Sequence, residues 1–388
     1  MQQSFKQLSA ALFKEVHANE LMLCNYSAEL SDFIRFNNNK VRQAGQVQQA
    51  YMSLTLMRDQ RQTTGEYSLS GHLDLDLPLL QNALKQLRQQ LSFLPTDPYL
   101  NVAMDVNNSC YVQDSILPDS KTILEEILAA AESMDLVGIW ASGPSYIGFA
   151  NSLGQSNWHQ QTSFNFDWSC YAHGDKAVKC NYAGFEWQNE ILVAKMRDAR
   201  QNLHLLKQPA KSINPGRYRS YLAPKAVREI IDMMSWAGYG LKSHKSTQSA
   251  LLKLSQNQVH LNSQFSLGIK PEQGLEPCFT SEGFIKPAAL TLIDKGMFKN
   301  YMIGSRSAKE FQQQVNAGAE YPQTLHLSGG NLSQQALLDE LGDGMYINDL
   351  WYCNFSDRNQ CRITGLTRFA CFWVENGKIQ APLNVMRF

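Results

Sequence analysis

The sequence predicts an α+β protein, with helices set among many antiparallel strands and no regular β-α-β alternation over a parallel sheet. Three observations carry this. Apolar residues recur at three-to-four spacing in separate segments, and alternating or aromatic-rich stretches lie between them. Two tight-turn signals, Asp294-Lys295-Gly296 and Asn376-Gly377, each sit between strand-like runs.

Taken in order, Phe5, Leu8, Leu12, Phe13 and Val16 define a helical face over residues 1–18. Phe33, Ile34, Phe36 and Val41, then Tyr51, Leu54, Leu56 and Met57, predict strands separated by polar turns. Leu77, Leu80, Leu84, Leu87 and Leu91 return to helical spacing over 76–94, and Pro95 stops it. Asp119 or Ser120 suits the cap of a further helix running to Met134. The acidic pairs Asp74/Asp76 and Glu125/Glu126 suit helix starts, where carboxylates complement the macrodipole. Residues 136–186 predict a run of short antiparallel strands with tight turns such as Asn151-Ser152-Leu153-Gly154. A helix over 188–206 closes the first half.

The segment 207–216, KQPAKSINPG, is the linker, dividing an N-terminal α+β domain (1–206) from a β-rich α+β domain (217–388). The second opens with a strand at 217–222 and a helix from Pro224, whose fixed φ suits a first helical turn. Val227, Ile230, Ile231 and Met234 form its apolar face. Beyond 240 the pattern is β-rich, with the two hairpins and one more helix over 333–341. In the last hairpin, over 369–382, Phe369, Cys371 and Trp373 face opposite to Ala370, Phe372 and Val374. Both faces are apolar, which predicts a central strand covered on both sides.

The 388 residues carry 35 Lys plus Arg against 35 Asp plus Glu, a net charge of zero that gives no long-range attraction for nucleic acid or anionic membrane. Charged residues make up 18%, below the ~25% usual for soluble domains, and such a surface favours association. A hydrophobic content of 44% excludes a disordered chain. No apolar run approaches the roughly 18–20 residues needed to span a bilayer. The N-terminal helix, followed by Glu15 and Glu20 with no small-residue cleavage site, does not read as a signal peptide. Cysteines at 24, 110, 170, 180, 278, 353, 361 and 371 are scattered, which points to reduced thiols and a cytoplasmic location.

No P-loop, complete GxGxxG, HExxH or CxxC occurs. Gly238-Tyr239-Gly240 reads as a helix terminator. Cys353, Cys361 and Cys371 are too far apart in sequence for a zinc knuckle and read as small apolar side chains on strands. His159 and His173 read as core or rim histidines. His244, in the polar stretch Ser243–Thr247, reads as a solvated loop histidine; paired with Ser246 or a distant cysteine it is also a nucleophile–base candidate.

An ordered series of segments resembles the TldD/PmbA family, the modulators of DNA gyrase. It comprises Phe33-Ile34-Arg35-Phe36-Asn37-Asn38-Asn39, Asn151-Ser152-Leu153-Gly154, Tyr221-Leu222-Ala223-Pro224-Lys225-Ala226, Lys245-Ser246-Thr247, Ser281-Glu282-Gly283, Lys295-Gly296-Met297-Phe298-Lys299-Asn300-Tyr301, Ser307-Ala308, Ile363-Thr364-Gly365 and Phe372–Ile379. The resemblance implies two intertwined α/β halves with mostly antiparallel sheets in a subunit that dimerises. In the family, TldD-type subunits carry HExxxH on the helix after the second-half strand, with a later cysteine completing a zinc site. Here Asp232 and Ala237 stand where the histidines would be and Met233 where the glutamate would be, and the chain stops at Phe388 before the later cysteine segment. The resemblance therefore implies a PmbA/TldE-like subunit with no catalytic or metal-ligating residue of its own, in a cytosolic system that processes unfolded peptides. Zinc is expected only in a TldD-like partner. The expected partners are that subunit or a second copy, and an extended peptide held in a groove lined by His244, Lys245, Ser246 and Thr247; no direct nucleic-acid or membrane contact is expected. The alternatives are an independent hydrolase built on His244, and a peptide-binding homodimer without catalysis.

Overall fold

The structure is a computed structural model, and it describes every residue except Asp114, Ile116, Asp175, Glu272 and Gln273. The first half runs α1 (Gln2–Phe13), β1 (Leu21–Asn37), β2 (Lys40–Arg58), β3 (Arg61–Ser68), α2 (Leu73–Leu91), β4 (Ser109–Gln113), α3 (Ser120–Ala130), β5 (Asp135–Asn151), β6 (Ser156–His173), β7 (Lys176–Gly184) and α4 (Asn189–Leu206). Its strands form one sheet in the order β3-β2-β1-β5-β6-β4, with β7 also pairing with β6. All of these pairs are antiparallel except β4 with β6.

The even-numbered side chains of β1 explain how the helices sit. Met22, Cys24 and Tyr26 pack with α1 and α2 in one core, and Ile34 and Phe36 pack with α3 and α4 in a second. Side chains alternate along a strand, so one sheet face carries all four helices, two over each end. Of the two cap candidates it is Asp119 that caps α3, accepting from the backbone N–H groups of Lys121 and Thr122. Asp76 is buried in the first turn of α2, where its carboxylate accepts from the Ser70 and Gly71 N–H groups.

Residues 136–186 form two strands of 17 and 18 residues and one of 9, not a run of short ones. Glycines lie inside β5 without breaking it, and at Gly138 and Gly143 neighbouring backbone comes too close for a side chain. At Gly143, with φ +151, a Cβ would meet the Leu30 carbonyl oxygen at 2.0 Å. Gly143→Ala is expected to cost about 1–3 kcal/mol through backbone strain. Urea unfolding measures this, and an unchanged midpoint would contradict the close approach. The Asn151–Gly154 turn is present, with Asn151 Oδ1 accepting from the N–H groups of Leu153 and Gln155.

The second half comprises β8 (Ser220–Leu222), α5 (Pro224–Ser235), α6 (Leu241–Lys245), α7 (Leu252–Ser255), β9 (Leu267–Ile269), β10 (Leu290–Asp294), β11 (Met297–Phe298), α8 (Ser305–Phe311), β12 (His326–Leu327), α9 (Leu337–Leu341), β13 (Gly344–Ile347), β14 (Asp349–Asp357), β15 (Arg362–Arg368), β16 (Phe372–Glu375) and β17 (Lys378–Pro382). The strands make three small sheets: β11-β10-β9-β12, β17-β16-β13-β8 and β14-β15. Both hairpins form. Lys295 and Gly296 in one, and Asn376 and Gly377 in the other, have the positive φ pairs of type I′ turns. Strand β16 starts at Phe372, three residues later than expected, because Phe369 adopts φ +59 and bends the chain. The alternation holds: Ala370 and Phe372 enter the core beneath α3 and α4, and Cys371 and Trp373 pack with Ile347 and Leu350 on the other side. The helix expected over 333–341 is only α9, five residues long.

Candidate functional site

Helix α5 corresponds in order to the helix that carries the metal motif in TldD-type subunits of the family the sequence resembles. Pro224 opens it, as expected. Ile231 is buried, while Val227 and Ile230 pack partly buried against the same core. Along its outer side runs a groove of about 800 Å³. Tyr221 and Leu222 of β8, Val227 and Asp232 of α5, and Leu327 of β12 are among its walls. Its base is apolar, with Ile231, Leu267 and Leu325. Strand β12 lies at the end of its sheet, pairing with β9. Gly329 and Gly330 follow it on the groove wall, with no heavy atom within 4 Å of where their side chains would begin. An apolar floor beside an outermost strand can take an extended chain by backbone pairing, with pockets for alternate side chains.

The donor set on α5 does not fit zinc. Asp232, partly exposed, is paired with Arg228 at 3.4 Å. Met233 is buried, and Ala237 falls beyond the helix end with φ +57. A catalytic zinc needs three protein ligands. Among the described residues no three His, Cys, Asp or Glu side chains are placed to share an ion.

The stretch expected to line the groove lies elsewhere. His244 is on α6, not in a solvated loop, and is 7% exposed. Its Nε2 lies 2.7 Å from the Gly238 carbonyl oxygen and its Nδ1 3.0 Å from Ser255 Oγ. Its ring packs against Phe298 and Tyr301. Burial holds its pKa below the usual histidine value, opposed by the bond to Gly238. The ring thus pins the turn between α5 and α6. Lys245, Ser246 and Thr247 are exposed, and none of the four residues lines the groove. The Ser246 hydroxyl donates to the Lys242 carbonyl oxygen, so it is Ser255, not Ser246, that meets His244. Burial raises the thiol pKa values of Cys24, Cys170, Cys180, Cys353, Cys361 and Cys371, which disfavours a thiolate nucleophile at each.

His159 is buried on the sheet face opposite the helices and stacks on Tyr111. Two of the segments that carry the resemblance meet near that face: Gln155 Nε2, just after the Asn151–Gly154 turn, donates to the Gly283 carbonyl oxygen at 2.8 Å. Sequence reasoning missed Leu267, Leu325 and Leu327 as groove residues. They alternate with small or polar residues in FSLGI and LHL, but strands of three and two residues do not show in sequence which cavity their side chains line.

Two α/β parts sharing a core, with an open groove along the first helix of the second part, define the class of fold. Residues 215–388 match the family model described as the PmbA/TldA metallopeptidase C-terminal domain. Over its whole length the fold resembles TldE from Thermococcus kodakarensis, with TM-score 0.76, 13% identity, and coverage of 99% of this chain and 90% of that one. It equally resembles a Thermotoga maritima protein described as a modulator of DNA gyrase, with TM-score 0.76, 14% identity and coverage of 100% and 92%. A Bacteroides thetaiotaomicron protein of the same description gives TM-score 0.72, 16% identity and coverage of 100% and 90%. No curated protein sequence matches. Residues 215–388 thus match the family's C-terminal domain, and the whole chain shares the fold of these solved structures. Among the described residues no helix is long and apolar enough to cross a membrane.

Proposed function

We propose that this chain is a PmbA/TldE-like subunit of a cytosolic TldD/PmbA-type metallopeptidase system. It holds extended, unfolded peptide in the α5 groove while a TldD-like partner supplies zinc and the hydrolytic step. The observation that carries this reading is the combination on α5: an open groove with an apolar base in the place of the family's active-site helix, with Asp232, ion-paired to Arg228, as the one α5 carboxylate on its wall. Such a surface can bind and position a peptide.

The test is peptide binding and hydrolysis by the purified chain, alone and mixed with a TldD-like subunit. Alone, the chain should bind an unstructured peptide and leave it intact. With the partner the peptide should be cleaved, and the two should co-elute at the mass of a dimer. Leu327→Arg puts a charge into the groove and should weaken peptide binding by about tenfold or more, about 1.4 kcal/mol. Its thermal unfolding should stay that of the parent, since Leu327 is 37% exposed. Hydrolysis by the chain alone, abolished by His244→Ala, would favour the independent hydrolase instead.

A further inference from the structure

A second cleft, of about 530 Å³, lies on the other side of the first turn of α5, against edge strand β7 and helix α4. Four cations line it: Lys179 of β7, Lys195 of α4, and Lys225 and Arg228 of α5. Two lining carboxylates, Asp167 and Asp198, face them. Asp167 takes most of the load, ion-paired with Lys179 and lying 4.0 Å from Lys225.

The charges sit in an unusual place. The N-terminus of α5 is the positive end of its dipole, where acidic residues are favoured. Its first turn holds no acidic residue, and its N-cap, Ala223, makes no side-chain cap. The first-turn N–H groups therefore lack a capping acceptor, and lysines crowd the end that already favours an anion. The Asn348 amide lines the same cleft, and its Nδ2 has no hydrogen-bond partner. Burial pushes Lys179 down to about 8, with Lys225 adding to the effect, and burial also lowers Lys225. Among the lining side chains four cations thus face two carboxylates, with Asp349 and Glu229 acting on Lys225 from outside the lining and Asp232 pairing with Arg228.

We propose that this cleft binds a carboxylate, and specifically the C-terminal carboxylate of the peptide held in the α5 groove. Cleft and groove share Pro224 and Arg228, so a chain leaving the groove passes around the first turn of α5 into the cleft. The peptide assignment rests on the groove reading; the carboxylate site itself does not.

Calorimetric titration of the full chain with N-acetyl-dialanine as the free acid, as the C-terminal amide, and with inorganic phosphate tests it. The acid should bind about tenfold or more tighter than the amide. Lys225→Gln and Lys179→Gln should each remove that preference, and Lys225→Arg should keep it. Thermal unfolding checks that each variant is folded; if Lys179→Gln is not, Lys195→Gln replaces it. Equal binding of acid and amide, no binding of either, or a preference unchanged in the glutamine variants overturns the proposal, as does phosphate bound tightly while the acid is ignored. A longer peptide acid separates the two readings. If it binds no tighter than the dipeptide while the acid preference persists, the groove reading fails and the carboxylate site stands.

Discussion

Replacing Phe372 by alanine is expected to cost about 3–5 kcal/mol, the usual range for deleting a buried aromatic from a packed core. Phe372 is fully buried, yet its companions are not its sequence neighbours. It packs in the cluster that holds Trp140, Phe166 and Trp168 of the large sheet and Leu192 and Met196 of α4. A strand near the C-terminus thus completes the core of the first half. Urea unfolding followed by tryptophan fluorescence and by circular dichroism should show both probes shifting together to lower midpoint. A variant in which the first half melts as in the parent would contradict the shared core.

Glu20→Ala is expected to cost about 3–5 kcal/mol, the range for breaking a buried ion pair by removing one partner. The Glu20 side chain is fully buried. Arg88 of α2 grips it with two bonds, Nε to Oε1 and Nη2 to Oε2, both 2.8 Å. Arg58 lies 3.5 Å away. Burial pushes the Glu20 pKa up, but the bonds from Arg88 and the His17 N–H outweigh it, and the net shift is downward. A carboxyl with a lowered folded pKa contributes stability that is present above its unfolded pKa and lost as pH falls through the folded one. The parent should therefore lose stability in acid below about pH 4.3, the ordinary glutamate value. Thermal unfolding across pH 3–7 checks this. Glu20→Gln should be less stable at pH 7 and should flatten the acid limb; a limb of unchanged steepness would mean that other carboxylates carry it.

These two residues mark how far the sequence could be read. Phe372 was legible as a buried strand residue, because apolar side chains on both faces of 369–374 require cover on both sides. Which core would receive it was not legible, since that depends on how the two halves dock. Glu20 gave no signal at all. Its partner lies 68 residues away, and a glutamate after a helix resembles any surface acid.

The site divides in the same way. Helix α5 and its proline start could be read directly, because helix period and residue type are local properties. His244 could not. A histidine among Ser, Lys and Thr looks solvated, and only the packing of Phe298, Tyr301 and Ser255 around it turns it inward. The groove walls come from β8, α5, β9 and β12, drawn together from residues 221 to 330, and the carboxylate cleft joins Asp167 and Lys179 to Lys225 and Asn348.

What the sequence determined by itself was the α+β class, the helical faces, a cap at Asp119 or Ser120, the two hairpins and a resemblance that residues 215–388 match, since each depends on periodicity, turn chemistry or residue order along a short stretch. Only the tertiary structure decided strand length across the glycines of β5, the shared core around Phe372, and the position of the groove. These depend on which distant backbones and side chains come close, and that closeness is set by long-range packing, which no local pattern records.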